Sequence, residues 1–259
     1  MIPILTGDDC WNWLRAHSSV KDENLSETVA SVISDVRLRE DVALLELAQR
    51  FGDPEKIRLT QQEVDDLCAQ LDDETKALLQ RAAKRIETFA QAVMDALKPV
   101  RIEGEGYTVG QRFQPVKRVG CYVPGGRYPL PSTALMTTVP ARVAGVPTIS
   151  MTCPSPHPAV IYAGTLGGVQ TFYTLGGAQA VAALAYGTQT IPVVDVIAGP
   201  GNVYVALAKR EVAGVVGVPA GFTGPSEVVV VADSTVDPDF AAIDIVVQAE
   251  HGPDGLAWL

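Results

Sequence analysis

The chain has 259 residues, 47% of them hydrophobic, enough to bury one large core or two smaller ones. Its formal charge of -10 argues against a nucleic-acid or anionic-membrane partner, since both require a basic face. Cys10, Cys68, Cys121 and Cys153 are widely spaced with no CxxC pair, which reads as reduced thiols in a cytoplasmic protein, not a disulfide framework.

In chain order, the N-terminus lacks a basic segment and carries Asp8 and Asp9, so it does not read as a secretory signal. Gly, Pro or a charge interrupts every apolar run before it reaches membrane-spanning length. Leu25, Val29, Val32, Ile33 and Val36 recur at helical spacing, and Leu44, Leu45 and Leu47 carry the pattern to a stop at Gly52-Asp53-Pro54. Thr60 with Glu63 makes a capping box ahead of Val64, Leu67 and Leu71. A further helix begins near Asp73 and runs to Pro99.

From Val109 the texture changes. Strand-like runs are expected at 109–116, 119–123, 148–152, 170–175, 193–198 and 227–232, with helices at 133–144, 158–167, 178–186, 203–212 and 239–250 between them. This alternation implies right-handed βαβ crossovers and a parallel sheet. The expected fold is α/β: a helical arm over 1–105, then a Rossmann-like parallel-sheet region over 106–259 with helices on both faces. The apolar, strand-like run at 255–259 has no closing turn or cap, so the α/β region is expected to be incomplete and to continue past Leu259.

Two groups of residues suggest chemistry. Gln248 and His251, three apart at the end of a helix, share a face and offer an amide oxygen and an imidazole to a zinc ion. The alternative is that His251 simply caps the helix and opposes its dipole. The glycine turns Gly125-Gly126, Gly176-Gly177-Ala-Gln179 and Gly199-Pro-Gly-Asn202 follow strands and open helices, where backbone N–H groups can face a phosphate. Tight βα turns also use glycine for purely structural reasons. Gly104-Glu-Gly106-Tyr-Thr-Val-Gly110 precedes a strand and has the wrong spacing for a dinucleotide fingerprint. Ser226 sits ahead of its strand, unlike an elbow nucleophile, so hydrogen bonding to substrate suits it better than attack. Cys121 and Cys153 read as buried small hydrophobes, and His17 and His157 as surface residues.

The ordered set Val119-Gly-Cys-Tyr-Val-Pro-Gly-Gly126, Pro140-Ala-Arg-Val-Ala-Gly145, Gly176-Gly-Ala-Gln179, Gly199-Pro-Gly-Asn202, Gly224-Pro-Ser-Glu227 and Gln248-Ala-Glu-His-Gly-Pro-Asp254 resembles the histidinol dehydrogenase family. The resemblance implies an NAD- and zinc-dependent homodimer that oxidises L-histidinol to L-histidine through the aldehyde. It implies that Tyr122, Gln179 and Asn202 contact NAD. Ser226, Gln248 and His251 would contact substrate, with Gln248 and His251 also binding zinc. The family's Glu-His base pair and its remaining zinc ligands are expected past Leu259, so the 259 residues alone are expected to be inactive. Two other readings stay open. Arg127-Tyr-Pro-Leu-Pro131 and Val218-Pro-Ala-Gly-Phe-Thr223 suit a paralogous dehydrogenase of another small polar alcohol, such as a sulfopropanediol. The third reading is an inactive remnant that binds only NAD or a partner chain.

Overall fold

The computed structural model describes residues 6–17, 23–125, 128–219, 227–249 and 256–259. Five helices come first: α1 (Asp8–His17), α2 (Glu23–Arg39), α3 (Asp41–Phe51), α4 (Gln61–Ala69) and α5 (Asp73–Ala96). The expected continuous pattern through residues 25–47 is broken at Glu40, whose φ of +51° no helix tolerates, so α2 and α3 are separate. Gly52, left-handed at φ +74°, ends α3. The capping box of α4 forms as expected. Glu63 N donates to Thr60 Oγ1 at 3.3 Å and Thr60 N donates to Glu63 Oε2 at 2.8 Å. With Lys56 also on its carboxylate, Glu63 is held down at about 2.

β1 (Val100–Gly104) and β2 (Tyr107–Gln111) form an antiparallel hairpin turning at Gly106. The strand expected at 109–116 is therefore only the second arm of this hairpin and stops at Gln111. The expected division at residue 105 falls in the hairpin turn. Val100, Ile102, Tyr107 and Val109 project from one face of the hairpin, and all four are exposed.

The main sheet follows: β3 (Arg118–Tyr122), α6 (Pro131–Val143), β4 (Thr148–Thr152), α7 (Pro158–Leu166), β5 (Thr171–Tyr173), α8 (Gly177–Tyr186), β6 (Val196–Ala198) and α9 (Val203–Glu211). Its order is β5-β4-β3-β6 and every pair is parallel. The chain first winds outward from β3 to β5, then crosses back beyond β3 to lay down β6. Crossovers of one hand running in opposite directions place their helices on opposite faces. The cores agree. One face packs α6 and α7 against Val119, Cys121, Ile149 and Met151, and the other packs α8 and α9 against Tyr122 and Ile197.

The early helices complete these layers. Val29, Val32, Ile33 and Val36 of α2 and Leu44 of α3 share the core of α8 and α9. Val64 of α4 with Leu79 and Ala83 of α5 share the core of α6 and α7. A second βαβ unit, β7 (Glu227–Val229), α10 (Pro238–Ala249) and β8 (Leu256–Trp258), makes a separate two-stranded parallel sheet. The apolar run near Leu259 is thus a strand, and Trp258 packs edge-on against Trp13 of α1, rings 4.9 Å apart. Among the described residues no helix is long and apolar enough to cross a membrane.

Candidate functional site

The strand order defines a topological switch between β3 and β6, because the connections leave these neighbours in opposite directions. In open parallel sheets the ligand crevice opens at the carboxyl ends of such a pair. Two of the glycine turns lie there: Pro124-Gly125 after β3 and Gly199-Pro-Gly-Asn202 after β6; Gly126 lies outside the described residues. The turns touch. Gly199 adopts φ +112°, and any Cβ on it would overlap the Tyr122 carbonyl oxygen.

Tyr122, at the end of β3, is 3% exposed, and its hydroxyl accepts the Gly177 N–H at 3.0 Å. Burial pushes its phenol up to about 12, so it stays protonated at neutral pH. Gln179, also 3% exposed, donates from Nε2 to Asp53 Oδ2 at 3.3 Å, and the same oxygen accepts the Gly176 N–H at 3.3 Å. Burial raises the Asp53 carboxyl above the usual aspartate range, against the lowering effect of these two donors. The structure therefore brings Tyr122 and Gln179 together at the start of α8. It adds Asp53, which the local Gly-Asp-Pro pattern marked only as a helix stop.

Asn202 is exposed at the start of α9 and caps it, its Oδ1 accepting the Val205 N–H at 3.1 Å. Beneath the turn lies Lys209, 1% exposed, whose Nζ donates to the Gly199 carbonyl. Sequence reasoning missed Lys209, because a lysine in the last turn of a helix ordinarily faces water and opposes the dipole. Among the described residues no carboxylate pairs with it, and burial lowers its pKa from the usual 10.5. Just below pH 10.5 the unfolded chain therefore holds this proton more tightly than the folded one. Folding stability contributed by Lys209 should accordingly rise with pH in that window. Denaturant melts taken up to about pH 10.5 should show this rise. Lys209→Met should lack it, and parallel pH profiles for the two proteins would refute the assignment.

The remaining candidates sit elsewhere. Gln248 is a buried residue of α10, beside the small β7–β8 sheet. Ser226, His251 and the side chain of His17 lie outside the described residues. Among the described residues no group of three or more His, Cys, Asp or Glu is placed to hold a metal ion. Cys121 and Cys153 are buried as expected, and burial pushes their thiols up to about 12 and 11, far from thiolate chemistry. His157 is at the surface and caps α7, its Nδ1 accepting the Ala159 N–H at 3.2 Å.

Fold and crevice together define an α/β protein of the parallel, helix-covered type with paired glycine turns at its switch point. A family model described as histidinol dehydrogenase matches residues 15–259. The chain is 45% identical over 240 residues to a histidinol dehydrogenase of Photobacterium profundum, covering 89% of this chain and 53% of that protein. It is 41% identical over 239 residues to one of Methanocaldococcus jannaschii, covering 90% and 56%. The crystal structure of histidinol dehydrogenase from Elizabethkingia anophelis matches with a TM-score of 0.85 at 34% identity, covering 95% of this chain and 59% of that one. The chain belongs to the histidinol dehydrogenase family of oxidoreductases. It spans about half the length of the curated relatives it matches.

Proposed function

We propose that this chain forms the NAD-binding part of an L-histidinol dehydrogenase, whose reaction takes histidinol to histidine through the aldehyde. The observation that carries this is the switch crevice between β3 and β6, floored by two touching glycine turns in a chain of this family. The names of the curated relatives support histidinol over another small polar alcohol as substrate.

The residues present fit a dinucleotide. Asn202 spends its oxygen on Val205 but keeps its amide N–H groups for a ligand. A Cβ on Gly201 would run into Val205, so glycine there admits the close packing of this turn on α9. NAD, when bound, supplies the hydride acceptor. Tyr122 and Gln179 form the neighbouring wall and contact NAD there; a phenol held near 12 serves as a neutral hydrogen-bonding group, not as a base. For zinc, only Gln248 of the two expected ligands lies among the described residues, and one amide oxygen does not make a zinc site. Zinc binding at Gln248 and His251 therefore rests on family membership.

Asn202→Ser separates binding from capping, since serine caps a helix about as well as asparagine. It removes the amide donor without adding charge. NAD dissociation constants from titration calorimetry should rise about 3- to 10-fold, the worth of one neutral hydrogen bond. Equal affinities at equal melting temperature would sink the assignment.

We also propose a homodimer, supported by the uncovered apolar face of the β1–β2 hairpin, since an isolated two-stranded hairpin is marginal in water. Light scattering should give a dimer that Ile102→Asp converts to monomer. A monomeric parent chain would refute it.

A further inference from the structure

We propose that Asp53 is the positioning residue for Gln179, acting as a cap for α8 delivered from a distant loop; this rests on the reading that Gln179 touches NAD. Helix α8 opens on Gly176, which has no side chain to accept the first free N–H groups, and its third helical residue is Gln179. In an ordinary capping box a Ser or Thr at the first position and a Glu or Gln at the fourth satisfy each other's backbone. Here Gly176 offers no side chain, and the Gly176 N–H that the Gln179 side chain would accept in such a box goes instead to Asp53, from the loop after α3. Asp53 Oδ2 takes both the Gly176 N–H and the Gln179 amide, each at 3.3 Å.

The consequence is directional. A carboxylate only accepts, so the end of the Gln179 side chain facing Asp53 must be its NH2 group. The amide oxygen is thereby turned toward the first turn of α8, where a Cβ on Gly177 would come within 2.6 Å of it. Gly177 meets this requirement twice over, having no Cβ and adopting φ +62°. Tyr122 closes the same turn from β3 by accepting the Gly177 N–H. Asp53 itself is set by the left-handed Gly52 before it and the rigid Pro54 after it. One carboxylate thus couples the outer α2–α3 layer to the wall of the switch crevice and selects which end of Gln179 a ligand meets.

The test is a double-mutant cycle on NAD affinity, measured by calorimetry on the purified chain alongside thermal melts. Gln179→Ala and Asp53→Ala should each weaken binding about 5- to 10-fold. Because both act through one amide, the double variant should bind within about 2-fold of Gln179→Ala alone. Asp53→Asn keeps one amide oxygen where Oδ2 stood, and that single oxygen can accept from both Gly176 and Gln179. It should therefore recover both the melting temperature and the NAD affinity of the parent chain. If Asp53→Ala does not fold, the same cycle is run with Asp53→Ser, whose shorter side chain cannot reach the Gln179 amide. An unchanged affinity in Gln179→Ala overturns the cofactor reading of that residue. A weakened Gln179→Ala with effects that multiply, or an Asp53→Asn that binds as weakly as Asp53→Ala, overturns the role given to Asp53 and leaves the cofactor reading standing.

Discussion

Gly199→Ala should lower stability by about 3 to 5 kcal/mol and the melting temperature by roughly 10 °C. Two effects add. The φ of +112° lies outside the region that alanine occupies, which costs about 1–3 kcal/mol. The new methyl would also be driven into the carbonyl of Tyr122, and backbone cannot swing away as a long side chain can. The β3 and β6 turns would be forced apart, so NAD binding should fail together with stability. Gly214→Ala provides the control: its φ is +96°, but nothing lies within 4 Å of the added methyl. It should cost about 1–3 kcal/mol of strain and leave the crevice intact. Equal melting temperatures for the two variants would show that the contact between turns is not what requires Gly199.

Leu184→Ala should cost about 2–5 kcal/mol, with a fall in melting temperature of about 4–20 °C. Leu184 is 1% exposed on α8 and lies directly over Gly120 of β3. A Cβ on Gly120 would meet the Leu184 methyl groups at 2.8 Å and 2.9 Å, so the strand's missing side chain is what admits the leucine. Shortening Leu184 opens a cavity between helix and sheet that the surrounding alanines of α8 are too short to fill. A second change follows from the same geometry. Gly120→Ala alone should destabilise by overpacking, but in the Leu184→Ala background it should restore part of the loss by filling the space. Strict additivity of the two changes in denaturant melts would contradict this packing.

Much of the architecture was legible because the signals behind it are local. The Thr60–Glu63 box closes over three residues, and both bonds form as the spacing required. Helices over 158–167, 178–186 and 203–212 match α7, α8 and α9 to within a residue at each end, since glycine and asparagine caps punctuate them. The alternation of strand and helix was enough for a parallel sheet. The expected single helical run over 25–47 failed because periodicity counts apolar residues and is blind to one dihedral; Glu40 at φ +51° carries no sequence mark. The strand at 109–116 failed because β2 is bounded by its partner, and β1 was not recognised as a strand.

The candidate site divides along the same line. The glycine turns and the burial of Cys121 and Cys153 could be read from the residues around them, whereas Asn202, read as a cofactor contact, proved also to cap α9. Only the tertiary structure decided that β6 returns to lie beside β3, which turns two separate loops into one crevice. It alone placed Asp53 against Gly176, 123 positions away in the chain, and sank Lys209 beneath Gly199. A carboxylate in a Gly-Asp-Pro stop and a lysine in a last helical turn look like surface groups in any local window. What half-covers Asp53 and buries Lys209 is the packing of helices against one another, and that depends on contacts between residues far apart in the chain, to which neither residue's own neighbours give a clue.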